Sequence, residues 1–457
     1  MMNLDLTDIQ GNILRGYRLP FARYIFLNLT GGDKAKAFLA EIIPHVTNSE
    51  VWIDEKPKST LNIGLSRTAL AALDVPLASI NSFPPEFLDG MAKRAKALGD
   101  IGDSAPEHWD DFWANRVDVW VSINALSAED REGKFQVIQK AITHSQGAKI
   151  VGTQDTEALI IDGAPSPKEH FGYTDGLAQP DFEGSHAFNT PGDGKIAGKG
   201  KWKDLKNGEF LLGYPNEALE DGELPAPAVL AKNGTFMVYR KLEQNVQGFR
   251  DYVDEWGEKY PGGKEKLMAK FIGRWRDGTP LALSPDKMNP DLAADHNRNN
   301  NFTYGDDPEG LKCPIGAHVR RANPRDELLY HGKLPSRRRI LRRGMPYGNY
   351  TPEGQPVDEQ ERGIIFMAIN ANISRQFEFV QQQWINYGND FYAGEDKDPV
   401  LGNREKPGRF VIPGDKQNPP FICADMQSFV TLKGGDYFFL PSLTALQMLA
   451  TGLVDPR

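Results

Sequence analysis

The feature that most constrains this chain is a strand and helix order that occurs twice along it. In the first half, residues 24–29 read as a strand, 33–44 as a helix and 60–65 as a strand. Residues 117–124, 127–143 and 149–153 then read strand, helix, strand, so the half has a β-α-β-β-α-β order with insertions. The second half opens alike, with a strand at 235–240 and a helix at 243–255 that carries Val246, Phe249 and Val253 on one face. A strand at 363–370, a helix at 374–386, paired strands at 429–432 and 437–440 and a closing helix through Leu446 complete it. The expected fold is α+β, with two ferredoxin-like halves built on antiparallel sheets. They would span 1–164 and 233–457, and 165–232, rich in Gly, Pro, Asp and Lys, would be a long irregular connection.

With 457 residues the chain is about twice the length at which a single core stops growing, so two packed halves with a sizeable interior are expected. A formal net charge of −9 repels phosphate backbones and argues against a nucleic-acid partner. No stretch has the length of a membrane-spanning helix, and the first residues lack the basic and apolar regions of a secretory signal. A cytoplasmic protein with no membrane partner is therefore expected. Two cysteines, Cys313 and Cys423, are too few for a disulfide framework or a cysteine-rich zinc site.

Three segments carry candidate chemistry. In Glu169-His170-Phe171-Gly172-Tyr173-Thr174-Asp175-Gly176, two glycines bracket an acid. Its local chemistry reads either as a turn whose Asp caps its own backbone or as an acid presented by a rigid loop. In the segment from Cys313 to Arg325, His318 precedes several arginines. A lone histidine is commonly structural, yet a haem needs an axial imidazole and cations near its propionates, and this segment offers both. The spacing of Cys313 and His318 matches no usual zinc pair. The run from Ser336 to Gly348 holds Arg337, Arg338, Arg339, Arg342 and Arg343. It reads as a solvated basic face, or as a segment that turns one guanidinium inward to stabilise anionic oxygen.

These segments occur in order with residues 8–14, 208–214, 235–243, 340–348 and Gly434-Gly435-Asp436-Tyr437-Phe438-Phe439-Leu440-Pro441. Together they resemble the dye-decolorising peroxidases, in particular the longer members of that family. The resemblance implies a dimeric α+β barrel-like arrangement, haem b as cofactor, hydrogen peroxide as oxidant, and dyes, phenols and other aromatics as one-electron donors. It implies His318 as proximal iron ligand, Asp175 as distal acid and Arg342 as distal arginine. Arg325 resembles a propionate-contacting arginine, and Ile364 and Phe366 resemble apolar residues of the distal pocket. Asp436 is the candidate acid to receive the second ring nitrogen of His318. Tyr347 and Trp384 correspond to aromatics that carry oxidising equivalents to the surface in some relatives, although Trp384 shares a helical face with Ile373, Phe377 and Val380, as a core residue would. Two other readings remain open: a deferrochelatase-like haem-processing protein, and a non-enzymatic haem carrier or sensor.

Overall fold

The N-terminal half contributes β1 (Phe21–Leu29), α1 (Gly32–Ile42), β2 (Ser59–Leu65), β3 (Val119–Ala125), α2 (Ala128–Ser145) and β4 (Ala148–Glu157). The C-terminal half contributes β5 (Thr235–Gln244), α3 (Val246–Lys259), α4 (Gly263–Ile272), the short helix α5 (His318–Ala322), β6 (Leu341–Arg342), β7 (Met345–Tyr347), β8 (Gly363–Asn370), β9 (Val430–Leu440) and α6 (Leu443–Thr451). The structure is a computed structural model that describes residues 4–53, 55–185, 190–198, 200–328 and 332–454.

Both halves have one strand order. The N-terminal half reads β4-β1-β3-β2 and the C-terminal half β9-β5-β8-β6, with β7 also on β8 and every pairing antiparallel. The two sheets join through β9 and β2, where Phe439 faces Leu65, so one nine-stranded sheet runs through the described residues. The architecture is thus α+β with ferredoxin-like halves, as the element order predicts.

Alternating side chains explain how this sheet buries both faces. Ile25, Leu27, Phe236 and Val238 pack with Phe38 and Leu39 of α1, Ile138 of α2 and Leu446 of α6. Their neighbours Tyr24, Phe26, Met237 and Tyr239 enter a second cluster with Trp120, Ile365 and Met367 on the other face. A third cluster joins Val246, Phe249 and Val253 of α3 to Leu267 and Phe271 of α4.

Helix α3 starts later than periodicity suggests because β5 runs on to Gln244 and Asn245 caps the helix, its side chain accepting from Gly248 N at 2.9 Å. Residues 374–386 form wide π-helical turns at Ser374–Glu378 and Val380–Ile385. The paired strands expected near residue 430 are instead one strand, β9, with an irregular register between Leu432 and Gly434. Gly434 and Gly435 look like turn residues in sequence, but here they allow close packing. Gly434 has φ +144°, and a Cβ there would lie 2.0 Å from Trp113 Nε1. Both cysteines are buried free thiols, and no described helix is long and apolar enough to cross a membrane.

Candidate active site

A cavity of about 280 Å³ opens in the C-terminal half. Its apolar wall comes from Leu242 of β5, Ile364 and Phe366 of β8, Phe377 and Val380 of the π-helical turns, and Val400 and Leu401. Asp175, His318, Arg325 and Arg342 all line it, so the structure gathers residues that lie up to 167 positions apart in sequence.

His318 begins α5. Its Nδ1 lies 3.0 Å from Asp398 Oδ2, and Nε2 has no hydrogen-bond partner among the described residues. The side chain keeps a quarter of its surface open, whereas Asp398 is fully buried. The other oxygen of Asp398 accepts from Val400 N at 2.9 Å and Leu401 N at 2.8 Å, which fixes the carboxylate. Burial works against charge on His318, but Asp398 outweighs it and raises the pKa above the ordinary imidazole value. Burial likewise disfavours the Asp398 anion, but His318, Arg321 and the Leu401 backbone N–H hold its pKa below the usual carboxylate value.

This arrangement corrects the expectation for Asp436. Its Oδ1 accepts from Met91 N and Tyr437 N, both at 2.9 Å, so it anchors residue 91 against β9 and is not the partner of His318. Burial pushes its carboxyl up to about 6. The reason is topological: β9 lies between β5 and β2, and the acid that reaches the imidazole comes from the loop after residue 391.

The Gly172–Gly176 turn presents Asp175. Both glycines have positive φ, Asp175 N donates to Pro167 O, and Asp175 Oδ1 accepts from Gly176 N at 2.6 Å. Glu169, three residues before the turn, is buried and lines the cavity. Its carboxylate accepts from Phe171 N, Tyr173 N and Gln244 Nε2 at 2.8, 2.9 and 2.6 Å. Burial pushes it up to about 7, against the pull of these donors and with a further push from Asp175. Arg342 Nη1 donates to Asp175 Oδ1 at 3.1 Å, while its Nη2 donates to Leu177 O and its backbone N to Gln179 Oε1. The acid and the guanidinium therefore form one unit, about half and a third exposed on a side that faces the cavity.

The arginine-rich segments divide by role. Arg320 is fully buried against Asp307 and Glu327, and Arg321 donates to the carbonyls of Trp384, Tyr387 and Asp396, so both brace α5. Arg325 lines the cavity with a left-handed backbone (φ +54°), donating to Asn300 O and Phe302 O. From the run after residue 336, Arg339 and Arg342 reach the cavity, while Arg343 is tied to Asn12 O and Arg338 to Arg375 O. The run is thus no solvated face. Arg274 joins Arg325 and Arg339 on the cavity wall. Burial lowers the pKa of Arg274 and Arg339 to about 10, which leaves both charged at neutral pH. Tyr347 and Trp384 are 3% and 1% exposed, so neither ring is at the surface. Trp384 Nε1 donates to Asp390, and the ring packs edge-on to Phe379 and Phe391.

Comparison with known proteins decides the family. Residues 8–156 match the DyP dimeric alpha+beta barrel domain, and residues 228–393 match the Dyp-type peroxidase C-terminal domain. The chain is 30% identical to Peroxidase 2 of Mycetinis scorodonius, over 98% of this chain and 88% of that protein. The chain belongs to the dye-decolorising peroxidase family. A dye-decolorizing peroxidase of Mycena epipterygia is also 30% identical, over 98% of this chain and 87% of the relative. Among solved dye-decolorising peroxidases, one in complex with 2,6-dimethoxyphenol superposes with a TM-score of 0.83 at 28% identity, covering 98% of this chain and all of the other. That from Auricularia auricula-judae gives 0.83 at 26% identity with the same coverage. As a dye-decolorising peroxidase, the chain is a haem-dependent enzyme.

Proposed function

We propose that this chain binds haem b through His318 and uses it to reduce hydrogen peroxide while oxidising dyes, phenols and other aromatic donors one electron at a time. The observation that carries the reading is the convergence on one apolar cavity of an Asp-anchored imidazole and an Asp–Arg pair. The donor set suits the cofactor: His318 Nε2 is without a partner among the described residues, the wall is apolar, and Arg274, Arg325 and Arg339 supply cations for acidic edge groups. When bound, haem supplies the iron redox chemistry that breaks the peroxide bond.

The protein's part follows from its own groups. Asp398 accepts the Nδ1 proton, leaving the Nε2 lone pair to face the cavity, and its negative charge makes the imidazole a stronger electron donor. Asp175 accepts a proton from the inner peroxide oxygen and returns it to the outer one, which leaves as water. Arg342, charged and fixed by Leu177 O, stabilises the anionic oxygen as the bond breaks. Ile364 and Phe366 keep bulk water off the reacting oxygens.

The linked Asp175 and Arg342 favour this reading over haem processing or haem carriage, since a carrier needs neither. Peroxide consumption by the haem-loaded protein with 2,6-dimethoxyphenol tests it. The expected result is two phenols oxidised per peroxide; haem binding without peroxide-dependent oxidation would favour carriage.

A further inference from the structure

With Tyr347 and Trp384 both closed off, a different aromatic must face solvent if donors too large for the cavity are to be oxidised. Trp202 meets that requirement. It lies on the second strand of a hairpin (Lys195–Gly198 and Lys201–Lys203), half-exposed, with its indole N–H donated to Asn301 Oδ1 at 2.9 Å. Beneath it, the Arg325 guanidinium carbon lies 5.7 Å from the indole centroid and 3.9 Å from the Phe302 ring. Both Arg325 and Phe302 line the main cavity.

The outer cleft beside Trp202 shares Asn323, Arg325 and Arg339 with that cavity, so a single layer of side chains separates the two. The cleft holds only about 10 Å³, room for a water and not for an aromatic ring. A bulky donor therefore stops at the indole, and only its electron can go further. Lys201 and Lys203 flank Trp202, exposed and without an ion pair among the described residues, on a chain whose net charge is −9. They would draw aromatic donors that carry negative charge.

We propose that Trp202 is the surface oxidation site for bulky anionic aromatic donors, with the electron entering past Arg325 and Phe302. The proposal rests on the peroxidase reading above. One peroxide takes up two electrons and two protons to give two waters. Each electron leaves the Trp202 indole, and a donor molecule outside the cleft returns it, becoming a one-electron-oxidised radical and releasing its acidic proton to solvent. The Arg325 charge next to the ring disfavours the indole cation and so makes the oxidised indole a stronger oxidant.

The test treats haem-loaded protein with peroxide and a nitroso spin trap, then maps adducts by peptide mass spectrometry. The same samples give the ratio of sulfonated anthraquinone dye turnover to 2,6-dimethoxyphenol turnover. We expect an adduct at Trp202 and a ratio that falls about tenfold or more in Trp202→Phe, because the phenyl ring is much harder to oxidise than the indole and cannot pass the electron on. Trp256→Phe, on α3 and away from the cavity, should leave both unchanged. Lys201→Glu with Lys203→Glu should raise KM for the anionic dye and not for the neutral phenol. An unmodified Trp202, or an unchanged ratio in a Trp202→Phe protein that still takes up haem, overturns the proposal. A parent protein that takes up no haem overturns the peroxidase reading itself.

Discussion

Replacing Asp398 by Asn leaves the shape of the side chain and reverses its hydrogen-bonding sense at His318. The Asn carbonyl must stay on the backbone N–H groups of Val400 and Leu401, because an NH2 group there would meet two donors. The NH2 then points at His318 Nδ1, which can meet it only with a lone pair, and the ring proton moves to Nε2. A protonated Nε2 cannot ligate iron. Restoring the useful tautomer costs the charge-assisted bond to Asp398, roughly 1.5–3 kcal/mol, which corresponds to about a 10–100-fold loss of haem affinity. Haem titration of the apoprotein, followed by the Soret band, measures this directly. Asp436→Asn is the matched control, since its carbonyl can keep both Met91 N and Tyr437 N and should leave haem affinity unchanged. Parental affinity in Asp398→Asn, or its loss in Asp436→Asn, would refute the reasoning.

Glu169 is raised from 4.5 to about 7, so its contribution to stability is complete below its unfolded pKa and is lost as pH rises through the folded value. Glu169→Gln lacks that loss, and its stability relative to the parent should rise by about 3 kcal/mol between roughly pH 4.5 and 8 in denaturant titrations; a flat difference would exclude the assignment. Arg342→Leu should slow formation of the peroxide-oxidised haem spectrum by two to three orders of magnitude, about 3–4 kcal/mol, and at least as much as Asp175→Asn does. Stopped-flow mixing decides this, and parental rates in both variants would remove the distal pair from the mechanism. Gly434→Ala places a methyl against Trp113 and should lower thermal stability by about 1–3 kcal/mol, whereas an unchanged melting temperature would mean that the strand relaxes freely.

The fold was legible where short apolar runs mark buried strands. Residues 24–29 and 363–370 are nearly continuous runs of β-branched, aromatic and other apolar residues because both faces of the sheet are buried, and β8 has the expected limits. The local turn chemistry of Gly172, Asp175 and Gly176 was equally legible, because positive φ and a side chain folded onto its own backbone are properties of a few consecutive residues. Asp398 was not, since it meets His318 across 80 residues in a loop with no motif, whereas Asp436 sits beside glycines that mimic a turn. Gly434 and Gly435 misled for the same reason: glycine serves a turn and a close approach alike, and only the position of Trp113 distinguishes them. The arginine run failed as a surface face because its partners are backbone carbonyls far away in sequence, such as Asn12 O for Arg343 and Arg375 O for Arg338. Glu169 was within view but gave no signal of its own, because its raised pKa comes from burial that only the packed cavity creates.

If His318 holds the iron, haem titration of His318→Ala beside the parent protein will register its loss. His45→Ala and His144→Ala serve as controls, since neither residue lines the cavity. His318→Ala is expected to lose most of its haem or its parental Soret band while both controls keep theirs. Full haem retention with an unchanged ligand-field spectrum in His318→Ala would contradict it.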